Sequence, residues 1–153
     1  MEKGFGRFFI IIVTLFTIIS CSSEQVQSSK SGVLKQPIVQ FEKVNSKGDT
    51  GRSLPPAEAP LMFWKSFEYK DISRPAAVGH TKENFCVIKE TEGIPLQEGA
   101  AVKLIEDAEC FFTHFTSLDG VPRKYMVGLV KIRITETGEE GWTWSKAVEF
   151  DNQ

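Results

Sequence analysis

The chain has 153 residues, 41% hydrophobic and 25% charged, and its 18 basic against 20 acidic side chains leave a formal net charge of −2 at pH 7. That balance provides no basic footprint for nucleic acid, and the length allows one domain with a real core plus a tail. The cysteines are Cys21, Cys86 and Cys110.

Lys3 and Arg7 start the chain with positive charge, an apolar run from Phe8 to Ile19 follows, and the small residue Ser20 precedes Cys21. This is the three-part layout of an export signal. Twelve helical residues rise about 18 Å, too little for the ~30 Å hydrocarbon core, so a processed segment fits better than a spanning helix. Ile18-Ile19-Ser20-Cys21 resembles the lipobox of bacterial lipoproteins. The resemblance implies that residues 1–20 are a lipoprotein signal peptide, removed before an acylated Cys21. Processing there takes away Glu2, Lys3 and Arg7 and makes the formal charge more negative by one. Two or three acyl chains, at about 0.8 kcal/mol per buried methylene, hold a soluble domain on a bilayer. The alternative is an ordinary secretory signal or short anchor with an incidental cysteine. Ser22, in place of an aspartate, resembles the pattern of lipoproteins sent to the outer membrane.

Residues 21–60 read as a flexible lipid-anchored linker. Ser22 to Gly32 is serine-rich and nearly free of large apolar side chains, so it cannot offset its own chain entropy. Val33 to Val44 has more apolar character and room for a short strand, but Gly48, Gly51, Pro55, Pro56 and Pro60 then interrupt any regular element. The proline segment lacks a PxxP register and reads as a stiff spacer. Residues 61–81 form either an aromatic arm or a first strand, with Phe63, Trp64, Phe67 and Tyr69 in close succession. Aromatic density of this kind marks burial or docking.

Beyond this point the pattern is all-β. Asn84–Lys89, Ala101–Ile105, Cys110–Phe115, Tyr125–Thr135 and Trp142–Trp144 are expected strands, separated by glycine, proline and Asp119-Gly120 turn signals. Tyr125–Thr135 is the longest, and Val130, Ile132 and Ile134 alternate with Lys131, Arg133 and Thr135. Cys86 and Cys110 form an even pair once Cys21 is acylated, and an oxidising compartment favours a disulfide between them over two buried thiols.

Two segments carry a second resemblance. Leu96–Asp107, LQEGAAVKLIED, looks like the glycine, strand and acidic turn of bacterial SH3-like domains. Gly138–Phe150, GEEGWTWSKAVEF, looks like their closing segment, with a glycine hairpin, Gly141-Trp142, a polar turn at Ser145-Lys146 and a final strand from Ala147 to Phe150. This implies a small SH3-like barrel of five or more short strands over residues 82–150, preceded by the tether. Asn84, Cys86 and Val87 only echo the family's first-strand motif, and Thr116–Gly128 is longer than its common hairpin. An OB-like barrel is the structural alternative.

No catalytic or metal centre is expected. Cys110 and His114 share a strand face but stand about 13 Å apart along it, too far for a thiolate–imidazole pair. His80 and His114 have no zinc-ligand spacing to other donors, and no phosphate loop or dinucleotide fingerprint occurs, so no cofactor is implied. Trp64, Tyr69, Tyr125, Trp142 and Trp144 are the ligand-binding candidates, because flat amphipathic rings suit peptide and glycan alike. The resemblances together imply a non-catalytic envelope lipoprotein, membrane-held through Cys21, facing the periplasm or cell surface, whose partner is peptidoglycan or an envelope protein. The alternative is an accessory subunit of a larger envelope complex that docks through residues 61–70. Intact mass of the chain extracted from native membranes is expected to equal Cys21–Gln153 plus acyl chains; an unacylated mass beginning elsewhere would remove the tether.

Overall fold

A computed structural model describes residues 30–44, 50–75 and 79–151. Cys21, the expected signal segment and the first part of the expected tether lie outside the described residues. The described chain is all-β, with strands β1 (Ser31–Leu34), β2 (Ile38–Val39), β3 (Phe41–Val44), β4 (Thr50–Ser53), β5 (Ala57–Glu58), β6 (Met62–Phe63), β7 (Glu68–Pro75) and β8 (His80–Lys89) in its first half. The second half holds β9 (Ile94–Pro95), β10 (Ala101–Asp107), β11 (Phe112–Thr116), β12 (Pro122–Tyr125), β13 (Leu129–Ile134), β14 (Glu140–Trp144) and β15 (Val148–Phe150). Single 3₁₀ turns at Glu90–Glu92 and Ser145–Ala147 are the helical elements among the described residues.

The strands form two main sheets. A five-stranded sheet has the order β14-β13-β10-β1-β15, all antiparallel, and a six-stranded sheet has the order β4-β3-β12-β11-β8-β7. In the second sheet β8 and β11 run parallel while the other neighbours are antiparallel. A parallel pair needs a long crossover. Here the chain between them supplies β9 and β10, so β10 enters the five-stranded sheet before the chain returns as β11. Neither sheet closes on itself, which corrects the expected barrel over 82–150.

The expected linker is corrected as well. β1 pairs with both β10 and β15 and is an interior strand, while β3 and β4 lie in the six-stranded sheet. Leu34, Pro37, Val39 and Ala59 are buried. A four-residue strand carries too little local pattern to announce itself; its partners lie about seventy and more than a hundred positions away and decide its state. The region 61–81, expected as an aromatic arm or a first strand, holds β6, the whole edge strand β7 and the start of β8.

Tyr125–Thr135 is two strands rather than one. Tyr125 ends β12 in one sheet, Leu129 begins β13 in the other, and Met126–Gly128 carries the chain across. A side chain at Gly128 would place its Cβ 2.7 Å from the carbonyl oxygen of Cys110, so the crossing requires glycine. The Thr113 hydroxyl holds the same passage by donating to the Val127 carbonyl at 2.8 Å. Likewise Thr116–Gly128, longer than the family's common hairpin, includes β12, and residues 117–121 turn between β11 and β12.

Cys86 and Cys110 are bonded, with Cα atoms 5.8 Å apart, and join β8 to the approach to β11. Replacing both by alanine is expected to lower unfolding free energy by about 3 kcal/mol, the chain-entropy value for a loop of this size, measured by denaturant unfolding. An unchanged midpoint would show that the parallel pair holds without its covalent link.

Candidate functional site

The rings proposed for ligand contact divide sharply by burial. Trp64 is 1% exposed and Trp144 0%, and Tyr125 is also buried. With Phe115 they form one aromatic nucleus: Trp64 meets Trp144 edge-on at 5.3 Å between centroids, Phe115 meets Tyr125 at 5.4 Å and Trp144 at 5.6 Å, and Tyr125 meets Trp144 at 5.2 Å. Trp144 comes from the five-stranded sheet, Phe115 and Tyr125 from the six-stranded sheet, and Trp64 from the segment between them. These three candidates therefore serve packing, and burial raises the Tyr125 hydroxyl above its ordinary pKa.

The two indole N–H groups are satisfied inside. The Trp64 indole N–H donates to the Lys89 carbonyl at 2.9 Å, and the Trp144 indole N–H donates to the Pro60 carbonyl at 2.8 Å. The Thr143 hydroxyl donates to the Met62 carbonyl at 2.8 Å, while Trp64 and Trp142 exchange backbone bonds in both directions. The segment Pro60–Trp64 is thus laced to β14. Gly141 is needed for this approach, since a Cβ there would fall 2.6 Å from the Trp64 carbonyl oxygen and from the Phe63 ring.

Trp142 and Tyr69 remain at the surface. Trp142 is half-buried and meets Phe67 edge-on at 4.6 Å. Tyr69, 47% exposed, stands opposite Cys86 on β7, the open edge of the six-stranded sheet. Phe67 also lines a shallow cleft of about 220 Å³ with Ser66, Glu68, Val87, Lys89 and Glu92. Its rim is charged: Lys89 lies 2.8 Å from Glu92, which holds the ammonium above its ordinary pKa, and Glu68 lies 3.1 Å from Lys70. A pair of rings beside alternating charges can stack on a flat ligand face and exchange hydrogen bonds around it. Phe67 was not singled out from the sequence, where nothing distinguishes it from the buried Phe63 in the same segment.

A second aromatic group escaped sequence reasoning. Phe85 and Phe112 stack in register across the parallel pair at 5.1 Å, and His114 tilts against them at 4.7 and 5.3 Å. Lys124 places its ammonium 4.2 Å over the Phe112 ring. By strand alternation this set occupies the face opposite Cys86, Ile88 and Phe115. The signal was present in CFFTHF, where positions 112 and 114 share a face, but the parallel partner at Phe85 was not foreseeable. Cys110 has its sulfur in the disulfide, so it is not a thiolate beside His114. Among the described residues no group of three or more His, Cys, Asp and Glu side chains could hold a metal ion.

No family model matches the chain, and neither does any curated protein or solved structure.

Partial burial and the charges of Lys124 and Lys70 hold the His114 imidazole below its ordinary pKa of about 6.5. A lowered folded value means that the unfolded chain takes up the proton first, so this group's contribution to stability is lost as pH falls through 6.5 towards the folded value. The melting temperature of the wild type is expected to fall between about pH 7 and 5 more steeply than that of His114→Gln. Parallel curves would assign the loss to the carboxylates instead.

Proposed function

We propose that the chain is a non-catalytic lipoprotein of the cell envelope, held on the membrane through Cys21 and facing the periplasm or the cell surface, with the outer membrane favoured. In this reading an SH3-like unit binds peptidoglycan or an envelope protein through the surface formed by Phe67, Trp142 and Tyr69. The observation that carries the binding part is the contrast in burial: three candidate rings are consumed by the core, while Tyr69 is exposed and Trp142 stays half-buried against Phe67, which lines a charged cleft.

The SH3-like reading draws support from the five-stranded sheet rather than from residues 82–150 as a block. β10, β13 and β14 are antiparallel neighbours, with a bulge in β10 between Leu104 and Glu106 where it can bend. After the hairpin at Gly138, β14 carries Gly141-Trp142, Ser145–Ala147 makes the short turn, and β15 closes against β1. These are the parts that the resemblance anticipates in the closing segment. In this assignment β1 is the first strand, and residues 35–100 and 108–128 are insertions that supply the six-stranded sheet.

A second reading, the accessory subunit, is favoured by the open edge of β7. Met62, Phe63 and Trp64 are buried, so the docking part of the 61–70 segment would be Lys65–Lys70. The two readings separate experimentally. Phe67→Ala and Tyr69→Ala, each folded by near-ultraviolet circular dichroism, are expected to weaken retention on purified peptidoglycan or on a captured envelope protein about tenfold. Unchanged retention in both variants would sink the aromatic surface. A stoichiometric co-purified partner that protects residues 65–70 from protease would favour the accessory subunit. Trp144→Ala is not a usable probe, because it empties the core.

A further inference from the structure

Where β1 and β15 part company, a second cleft opens that none of the aromatic candidates line. Leu34 pairs with Val148, and the Lys35 N–H still donates to the Ala147 carbonyl at 2.8 Å. Beyond that bond the chain turns away through Pro37 into β2, leaving a depression of about 490 Å³ between residues 35–38 and the turn at Ser145–Ala147. This lies within the roughly 300–1,000 Å³ of small-ligand clefts.

The lining has three chemical parts. Ile38, 60% exposed, and the buried Val148 supply aliphatic surface. Lys146 is exposed, and among the described residues it has no ion pair and the Ser145 hydroxyl beside it has no hydrogen-bond partner. Lys35 stands on the other lip, 3.3 Å from Glu149, which restricts it and leaves Lys146 as the unopposed positive charge. The Gln36 amide is tied to the Ala59 carbonyl, so that wall is fixed. Among the described residues no ring lines the cleft, so they offer no flat platform suited to stacking on a sugar.

We propose that this cleft captures the C-terminal end of a protein chain, a free α-carboxylate beside an aliphatic last side chain. Lys146 and the Ser145 hydroxyl receive the carboxylate, and Ile38 with Val148 receives the side chain. Each half is weak alone: an exposed charge pair contributes about 0–1 kcal/mol. Carboxylate and aliphatic group on one residue make both contacts for a single ordering cost, the way terminal carboxylates are taken elsewhere. The site is separate from the Phe67–Trp142 surface, and its failure would leave that reading standing.

The test uses the full chain and a synthetic pentapeptide, Gly-Ser-Gly-Val-Leu, with a free or an amidated C terminus, followed by nuclear magnetic resonance titration. The free acid is expected to shift the resonances of Lys35–Ile38 and Ser145–Val148, and amidation is expected to weaken binding about tenfold or more. Lys146→Gln should reproduce the effect of amidation on the free acid, and Ile38→Ser should weaken both peptides; both positions are exposed, so the fold persists. Equal binding of acid and amide, shifts confined to Phe67 and Trp142, or binding of soluble cell-wall fragments but not of the peptide would each overturn the proposal.

Discussion

Five residues, Pro60 to Trp64, hold the two sheets together. Their carbonyls receive the Trp144 indole and the Thr143 hydroxyl, their backbone bridges to Trp142, and the Trp64 ring fills the space between Phe115 and Trp144. On the far side the same segment pairs with β9 and takes the Leu96 N–H on the Leu61 carbonyl. The nucleus draws one ring from this segment, one from the five-stranded sheet and two from the six-stranded sheet, so loss of any member leaves a cavity that touches both layers.

The parts of this arrangement legible in the sequence are those whose pattern is local. Alternation around Ile132, the glycine hairpin before Trp142 and the strands at Ala101 and Val148 read correctly because period-two burial and turn chemistry act over a few residues. The all-β class and the Cys86–Cys110 bond follow from equally short-range or compositional signals. β1 did not, because SGVL becomes a strand only through β10 and β15. The aromatic segment illustrates the same limit at the site. Trp64 and Phe67 are three positions apart and chemically alike, yet one is sealed beneath the Lys89 carbonyl and the other meets solvent. Local sequence marks both as rings; only long-range packing sorts them into core and surface.

That sorting also shapes what the surface can do. A domain of this size needs large side chains to exclude water from its core, and it spends most of its tryptophan there. The groups proposed for recognition are consequently peripheral: the Phe67–Trp142 edge, Tyr69, and the aliphatic and cationic lips where β1 and β15 separate. Both are shallow, and both depend on the sheets only for position. Substitutions at Phe67, Tyr69 or Lys146 can therefore alter recognition while the nucleus keeps the fold.

The pairing of β1 with β15 joins the first described strand to the last. A chain that emerges end-first presents β1 with both flanks unmatched, since β10 follows about seventy residues later and β15 more than a hundred. Contacts of such separation form slowly and late. Until Val148–Phe150 has appeared, β1 is an open edge able to pair with any extended neighbour, including another nascent copy. Loss of Val148–Phe150 would leave this edge of β1 without its partner.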